Sequence, residues 1–229
     1  MRLTIIIPCF NEVSTIEEIL RRIKKQTKIS KYIILVDDCS TDGTRELIRK
    51  KLYKTVNKVI YHKNNKGKGA CIKSAKKFIK GDAVLIQDAD LEYFPSDYEK
   101  LMKNFNSKNS QVVYGSRVIG KSRYSLKNFS SIYRIFFNHI LTIVTNVFCH
   151  QNLTDAHTCY KLVDKKIFKK IKLQENDFAF CPEITAKISK LGITIKEIPI
   201  KYDGRSYEEG KKIKFSDGFR ALITIFTYS

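Results

Sequence analysis

The sequence is poor in the features that mark secreted, zinc-binding and membrane-spanning proteins. Its six cysteines stand singly, without a C-x-x-C pair, which is typical of reduced thiols in a cytosolic protein and excludes a disulfide or zinc scaffold. The N-terminal apolar run is too short for a signal peptide. The most apolar stretch, residues 132–149, is interrupted by polar side chains, so no segment is expected to span a bilayer.

Negative charge is also scarce. The 229 residues include 43 Lys and Arg against 23 Asp and Glu, which gives a formal net charge of +20. A hydrophobic content of 43% excludes a disordered chain. The positive charge predicts an anionic partner, which on composition alone is nucleic acid, lipid phosphate or a phosphorylated substrate. Nucleic acid is the least favoured, because the basic residues are dispersed and form no recognised binding motif.

Short apolar runs alternate with helical patterns in the first half of the chain, which predicts an α/β fold with a mainly parallel sheet. Strands are predicted at residues 3–8, 32–36, 59–62, 83–87 and 111–114. Helices are predicted at residues 44–52, 71–79 and 96–105, and one more follows a capping box at residues 14–17 and runs to about residue 25. In the second half we predict helices at 131–148 and 182–191, a strand at 194–199, a polar loop at 201–214 and an amphipathic stretch at 215–228. No linker or repeat divides the chain, so residues 1–229 are expected to form one domain.

Acidic side chains gather directly after the predicted strands, at the edge where an open α/β sheet binds its ligands. They are Glu12 after the first strand, Asp37 and Asp38 after the second, and Asp88, Asp90 and Glu92 after the fourth. Two carboxylates spaced as Asp88 and Asp90 point the same way if the strand continues, and such a pair suits Mg²⁺ or Mn²⁺. A single D-x-D pair is more often a turn or cap, so the metal interpretation depends on the other acidic residues.

Two loops carry further polar groups. In residues 37–44, Asp42 and Gly43 fit a turn with a helix cap, which leaves Asp37 and Asp38 to accept hydrogen bonds from a base or ribose. Residues 65–69, with the sequence NKGKG, are similar to a phosphate-binding loop but lack the P-loop pattern, and a simple turn is the favoured interpretation.

Taken together, these motifs resemble those of the family 2 glycosyltransferases, in particular the polyprenyl-phosphate (dolichyl-phosphate) mannosyl- and glucosyltransferases. The matching segments are residues 7–12, 36–44, 87–92, 115–117, 152–155, 159–161, 180–184, 205–213 and 217–222. They cover nearly the whole chain in order. The resemblance implies a GT-A fold, a Rossmann-like mixed sheet, with a nucleotide-sugar and metal half at 1–120 and an acceptor half at 121–229.

The resemblance also implies roles for individual residues. The expected nucleoside pocket is lined by Pro8, Glu12, Asp37 and Asp38. The expected metal segment holds Mg²⁺ or Mn²⁺ on the diphosphate and comprises Asp88, Ala89, Asp90 and Glu92. Arg117 is expected to face phosphate, although a surface salt bridge fits it equally well on sequence alone. Three cations of a mobile loop are expected to grip the acceptor phosphate or close over the donor: Arg205, Lys211 and Lys212.

The implied reaction is an inverting displacement in which a polyprenyl phosphate oxygen attacks the anomeric carbon of an NDP-sugar, with Asp90 and Arg117 in the catalytic set. A phosphate monoester is already anionic, so no general base is required; a hydroxyl acceptor would need one, and Asp155 and Glu183 are the candidates. Both GDP-mannose and UDP-glucose stay open as donors, since Glu92 replaces a Gln that is frequent among the mannosyltransferases. The main alternative is an enzyme of the same fold that acts on a saccharide or another hydroxyl acceptor in cell-envelope glycan synthesis.

Membrane contact is the last expectation. The apolar helices near residues 132–148 and 215–228 are expected to lie in the interface of the cytoplasmic membrane face, although ordinary core helices would have the same composition. Attachment is expected to be peripheral, either direct or through a separate membrane-anchor subunit.

Overall fold

A mixed seven-stranded sheet runs through the centre of the protein, which this computed structural model describes over residues 1–106, 108–120, 129–205 and 215–229. Its strand order is β3-β2-β1-β4-β6-β5-β7. The strands are β1 (Arg2–Cys9), β2 (Ser30–Asp37), β3 (Lys58–Tyr61), β4 (Ala83–Ile86), β5 (Val112–Ser116), β6 (Lys161–Asp164) and β7 (Lys196–Pro199). The helices are α1 (Ile16–Lys24), α2 (Thr44–Leu47), α3 (Lys68–Ala75), α4 (Tyr98–Asn104), α5 (Phe129–Cys149), α6 (Lys165–Lys170), α7 (Phe180–Ser189) and α8 (Phe215–Tyr228).

Strand direction brings the loops of the site to one edge of the sheet. The strand β1 pairs in parallel with β2 and β4, and β2 pairs in parallel with β3. Only β6 runs the other way among the described strands, antiparallel to both β4 and β5, while β5 and β7 are parallel. The carboxyl ends of β1, β2, β4 and β5 and the segment that enters β6 therefore meet at the same edge. The predicted mixed, mainly parallel sheet is confirmed.

The core forms because β1 and β4 are covered on both faces. Each has an almost continuous apolar sequence, and residues such as Ile5, Ile6 and Leu85 are fully buried. The helices α5, α7 and α8 of the second half pack on one another, and Leu141, Ala221 and Ile225 form a separate small core between α5 and α8. No helix among the described residues is both long and apolar enough to cross a membrane.

The predicted capping box at residues 14–17 is wrong. Helix α1 begins at Ile16, and Thr15 at its N-cap position makes no side-chain capping bond. Instead the Thr15 hydroxyl donates to the Glu12 carboxylate at 2.8 Å, and the Thr15 and Ile16 N–H groups donate to the Glu12 carbonyl. The preceding loop therefore organises this helix start and ties it to a candidate site residue.

Helix α3 begins at Lys68, three residues before the predicted position. The earlier start depends on Gly67 at the N-cap and Gly69 in the first turn. Gly67 has φ +93°, and a Cβ at this position would lie 2.5 Å from the Asn176 carbonyl oxygen. This close approach places Lys68 in the first turn of the helix at the site edge.

Strand β6 and helix α6 were not predicted, because their polar residues interrupt the apolar pattern that is typical of a buried strand. Lys161, at the start of β6, is buried, donates to the Ala156 carbonyl at 2.6 Å and lies 3.8 Å from the centre of the Tyr114 ring. Asp164 ends the strand and caps α6 by accepting from the Lys166 and Ile167 N–H groups. A buried lysine and a capping aspartate thus make a central strand appear polar in sequence.

Candidate active site

Three carboxylates surround the Arg205 guanidinium at the carboxyl ends of β1 and β4. Its Nη2 lies 3.2 Å from Glu12 Oε1 and 3.3 Å from Asp90 Oδ2, and its Nε lies 3.9 Å from Glu92 Oε1. The guanidinium is largely buried, with about a fifth of its side chain exposed. We call Glu12, Asp90 and Glu92 the carboxylate cage. A cation of the chain itself therefore occupies the centre of the acidic cluster that the sequence predicted.

Glu92 also anchors the segment that carries Arg205. Its two carboxylate oxygens accept hydrogen bonds from the Tyr202 hydroxyl at 2.7 Å and from the Arg205 N–H at 2.9 Å. Its carbonyl accepts from the Asp203 N–H at 3.0 Å. Glu92 is thus bound on both its backbone and its side chain to the start of the predicted mobile loop. The other loop cations of the prediction, Lys211 and Lys212, lie outside the described residues.

A second cation neutralises the neighbouring carboxylate Asp88. The Lys68 Nζ lies 2.5 Å from Asp88 Oδ1. Burial disfavours the charged amine, but the attraction of Asp88 outweighs burial and raises the pKa of Lys68 well above its usual value. The segment 65–69 therefore contributes a cation to the metal segment, a role that was not predicted, because the sequence favoured a simple turn over a phosphate-binding loop here.

The cluster as a whole is crowded with negative charge. Burial, followed by the nearby Asp88 and Glu92 carboxylates, raises the pKa of Asp90 to about 7, although Arg205 opposes the shift. Carboxylate oxygens that repel one another in this way are the donors that a hard divalent cation prefers. By its donor chemistry the cluster fits Mg²⁺ or Mn²⁺.

The predicted metal ligands are nevertheless not drawn together to ligand spacing. Within the part of the chain that the structure describes, one group of three potential ligand atoms lies within 4.8 Å of one another, and it comprises Asp38, His62 and Cys71. The carboxylates of Asp88 and Asp90 are instead held by Lys68 and Arg205.

The carboxylates of Asp37 and Asp38 already bind groups of the protein itself, and their contact with a base or ribose stays a prediction. Arg45 Nε lies 2.5 Å from Asp37 Oδ2, and the buried Asp38 accepts from the Lys66 and Gly67 N–H groups and contacts His62 Nδ1 at 2.6 Å. These contacts hold the loops after β2 and β3 together. Ala89 of the metal segment is buried. Of the other two predicted pocket residues, Pro8 lies in β1 opposite Val36 and Glu12 belongs to the carboxylate cage. Their contact with a nucleoside stays a prediction.

Arg117 and the buried Asp155 form a largely buried, bidentate ion pair at the end of β5. Arg117 Nε and Nη2 each lie 2.7 Å from a different Asp155 oxygen, and the Arg117 N–H donates to Asp155 Oδ2 at 3.0 Å. Burial opposes the charge on Asp155, but Arg117 outweighs it and lowers the pKa of this carboxylate. The Tyr202 ring lies 5.1 Å from the Arg117 guanidinium. Arg117 is thus a largely buried partner of Asp155 and not an exposed surface residue.

Glu197 on β7 positions this pair and was not predicted. Its carboxylate accepts from the Thr154 N–H at 2.6 Å and from the Asp155 N–H at 3.0 Å. The segment before Asp155 is therefore fixed from a neighbouring strand. A lone glutamate in a short strand gives no signal of this role in sequence.

Glu183, one of the two predicted candidates for a general base, binds groups of the protein itself. Fully buried on α7, it accepts from the Gln174 and Glu175 N–H groups at 2.6 and 3.0 Å and from Lys187 Nζ at 2.6 Å. Both of its oxygens are therefore engaged, and a role of Glu183 as a base stays a prediction. The Asp155 carboxylate is engaged as well, because both of its oxygens bind Arg117, which lowers its pKa.

The chain is similar to known glycosyltransferases. Residues 4–172 match the model of the family described as glycosyl transferase family 2. The uncharacterized protein MJ1222 of Methanocaldococcus jannaschii is 28% identical over 226 residues, which span 96% of this chain and 89% of that protein. The dolichyl-phosphate beta-glucosyltransferase ALG5A of Trichomonas vaginalis is 27% identical over 93% of this chain and 68% of that protein.

A solved structure shares the fold. The glucosyl-3-phosphoglycerate synthase of Mycobacterium tuberculosis, crystallised with Mn²⁺, UDP and phosphoglyceric acid, superposes with a TM-score of 0.73 at 14% identity. The alignment covers 99% of this chain and 78% of that one. The expected GT-A fold is thereby confirmed.

Proposed function

The chain belongs to glycosyl transferase family 2, and from that premise we propose that it transfers a hexose from an NDP-sugar to a polyprenyl phosphate at the cytoplasmic face of a membrane. The observation that carries the proposal is the arrangement at the carboxyl edge of the sheet. There Tyr202 links the carboxylate cage to Arg117, since its hydroxyl donates to Glu92 at 2.7 Å and its ring lies 5.1 Å from the largely buried guanidinium of Arg117. Such a combination suits a substrate that brings a metal-bound diphosphate and a second phosphate.

On this proposal, Asp88, Asp90 and Glu92 hold Mg²⁺ or Mn²⁺, and Arg205 moves from the cage onto a phosphate group. A bound divalent cation neutralises the charge that develops on the leaving diphosphate. Arg117, held in place by Asp155, orients phosphate oxygens through its remaining N–H groups. The nucleoside binds near Pro8, beside the loops after β2 and β3 that the contacts of Asp37 and Asp38 hold together.

The acceptor is assigned from acid–base chemistry. Transfer to a hydroxyl needs a base, and both carboxylates that the sequence offered for this role are engaged, Asp155 by Arg117 and Glu183 by Lys187. A phosphate monoester attacks as an anion and needs none. The name of the similar Trichomonas vaginalis protein, a dolichyl-phosphate beta-glucosyltransferase, supports the same acceptor class and makes UDP-glucose the first donor to test, ahead of GDP-mannose.

A thermal-shift panel of NDP-sugars with Mn²⁺ or Mg²⁺ tests the donor and metal assignments. A matched donor binds the folded state only and should raise the Tm of the wild type by mass action. Asp90→Asn should lose most of the metal-dependent part of the shift. Equal metal-dependent shifts in both proteins would refute the metal site, and no shift with any NDP-sugar would refute the donor class.

The second candidate function is transfer to a non-lipid acceptor, as in the structurally similar glucosyl-3-phosphoglycerate synthase. That enzyme's crystallised ligand, phosphoglyceric acid, also carries a phosphate, so an arginine such as Arg117 suits either acceptor. The two functions separate when labelled donor is offered with polyprenyl phosphate and with soluble acceptors in parallel.

A further inference from the structure

Three side chains of metal-binding type converge where β2, β3 and α3 meet. Asp38 directly follows β2, His62 directly follows β3, and Cys71 lies in α3. One ligand atom of each, a carboxylate oxygen, an imidazole nitrogen and the thiol sulfur, lies within 4.8 Å of the other two. All three residues are buried, which distinguishes them from the acidic groups that are common on protein surfaces. We call Asp38, His62 and Cys71 the buried cluster.

The donor atoms of the buried cluster are those that zinc binds. Zn²⁺ takes thiolate, imidazole and carboxylate ligands, whereas Mg²⁺ and Mn²⁺ take oxygen atoms. The metal segment at Asp88 and Asp90 offers carboxylates alone, so the two groups of side chains select different ions. The buried cluster is not the zinc scaffold that the sequence excludes. Its members come from three separate elements, and Asp38 and His62 are 24 positions apart.

Outer hydrogen bonds orient the donors of the buried cluster toward one another. His62 Nε2 lies 2.9 Å from Ser74 Oγ, which leaves Nδ1 to face Asp38 Oδ1 at 2.6 Å. The second Asp38 oxygen, Oδ2, accepts from the Gly67 N–H at 2.7 Å. Histidines and carboxylates that bind metals in proteins have outer partners of this kind, which fix the atom that faces the ion. The buried cluster therefore has the outer contacts of a metal site as well as its donor atoms.

Zinc binding requires one contact to lengthen and one proton to leave. In a tetrahedral site with bonds of about 2.1 Å, nitrogen and oxygen ligands lie about 3.4 Å apart, so the 2.6 Å contact between His62 and Asp38 must lengthen by about 0.8 Å. Burial and the neighbouring Asp38 raise the pKa of the Cys71 thiol, so the thiol keeps its proton until a cation binds. Zinc then releases that proton to solvent, and His62 keeps its own proton on Nε2, which donates to Ser74.

We propose that the buried cluster is a structural zinc site, in which its carboxylate oxygen, imidazole nitrogen and thiolate sulfur bind Zn²⁺ and a water molecule takes the fourth tetrahedral position. Asp38 also binds the Gly67 N–H, and the next residue, Lys68, pairs with Asp88 of the metal segment. Zinc therefore stabilises the loop that places Lys68 at Asp88, and it does so at a site separate from that of Mg²⁺ or Mn²⁺. The proposal goes beyond the proposed function and does not depend on it.

Metal analysis of the whole chain tests the proposal. Protein from a zinc-supplemented culture, dialysed against metal-free buffer, should keep about one Zn²⁺ per chain. In competition with a chromogenic chelator, Cys71→Ser and Ser74→Ala should bind Zn²⁺ at least about tenfold more weakly, since the first removes a ligand and the second the outer partner of His62. Cys39→Ser is the matched control and should bind Zn²⁺ as the wild type does, because it changes a half-buried thiol outside the buried cluster. Asp88→Asn should also keep its zinc.

Cobalt reports the sulfur ligand directly, even if Cys71→Ser does not fold. Wild type and Cys39→Ser, refolded from urea with Co²⁺ in place of Zn²⁺, should both show a thiolate-to-cobalt charge-transfer band in the near ultraviolet. A wild type without this band or without zinc, or a folded Cys71→Ser with the zinc affinity of the wild type, would overturn the zinc site. So would loss of zinc in Asp88→Asn, which would place the ion at the metal segment. Zinc bound as expected in a chain that transfers no hexose would refute the proposed function and leave the zinc site standing.

Discussion

Arg205→Gln should tighten the binding of Mn²⁺ to the free enzyme. In the structure the guanidinium occupies the carboxylate cage, with three carboxylates at 3.2, 3.3 and 3.9 Å. A metal that takes Asp90 and Glu92 as ligands must displace this internal cation or bind against its charge. The variant removes the competitor and keeps all three carboxylates.

The size of the effect follows from these distances. At an effective dielectric constant of about 20, two unit charges near 3.3 Å attract by about 5 kcal/mol. Partial solvation and the cost of desolvating the guanidinium offset most of this value. Arg205 then costs metal binding a net free energy of about 1.4 to 2.7 kcal/mol, which corresponds to about ten- to hundredfold tighter Mn²⁺ binding in Arg205→Gln.

Titration calorimetry with Mn²⁺ in the absence of nucleotide measures this affinity. Arg220→Gln is the control. Arg220 lies on α8 and pairs with Asp177 at 2.6 Å, so this substitution also removes one positive charge, but outside the carboxylate cage. Its Mn²⁺ affinity should match the wild type. Unchanged or weaker binding in Arg205→Gln would refute the idea that Arg205 competes for the metal ligands.

Three further substitutions have separate outcomes. Asp155→Asn leaves Arg117 buried without its full counter-charge, so the free energy of unfolding in urea should fall by about 3–5 kcal/mol, whereas an unchanged midpoint would contradict the buried pair. Glu183→Gln should lower stability, because Lys187 and two N–H groups lose a charged acceptor, while the pH profile of kcat stays that of the wild type. Loss of the acidic limb of that profile would instead make Glu183 the base. His157→Gln tests a pH effect. Burial and the nearby Lys161 lower the pKa of His157 to about 3, so between about pH 6.5 and 3 the unfolded chain binds a proton that the folded one does not. As the pH decreases through this window, the free energy of unfolding of the wild type should therefore decrease by up to about 1.4 kcal/mol per pH unit, more steeply than that of the variant. Parallel curves for the two proteins would contradict the lowered pKa of His157.

The parts of the fold that follow a local rule could be predicted from sequence. Strands β1 and β4 need apolar side chains on both faces, so each appears as a short continuous apolar run. The acidic residues of the site could be located for a related reason, since the carboxyl ends of parallel strands meet at one edge. Strand β6 escaped prediction because Lys161 is buried by contacts with Tyr114 and Ala156, which are set by the tertiary fold.

The pairing of the site residues could not be predicted. Arg117 and Asp155 are 38 positions apart, and Glu12 and Arg205 are 193 apart, so no local pattern indicates that they meet. The sequence identified these residues singly, by type and by the strand they follow. It left open that Arg205 would occupy the carboxylate cage, because that depends on where β7 places the segment after Pro199.

Transfer of labelled hexose from UDP-glucose or GDP-mannose, with Mn²⁺, tests the central claim most directly. Polyprenyl phosphate and soluble saccharide or hydroxyl acceptors are offered separately, and the organic phase is assayed for label. The account predicts a labelled polyprenyl phosphate hexose with one of the two donors and none with Asp90→Asn. Label that enters only a soluble acceptor, or no lipid product with either donor, would contradict it.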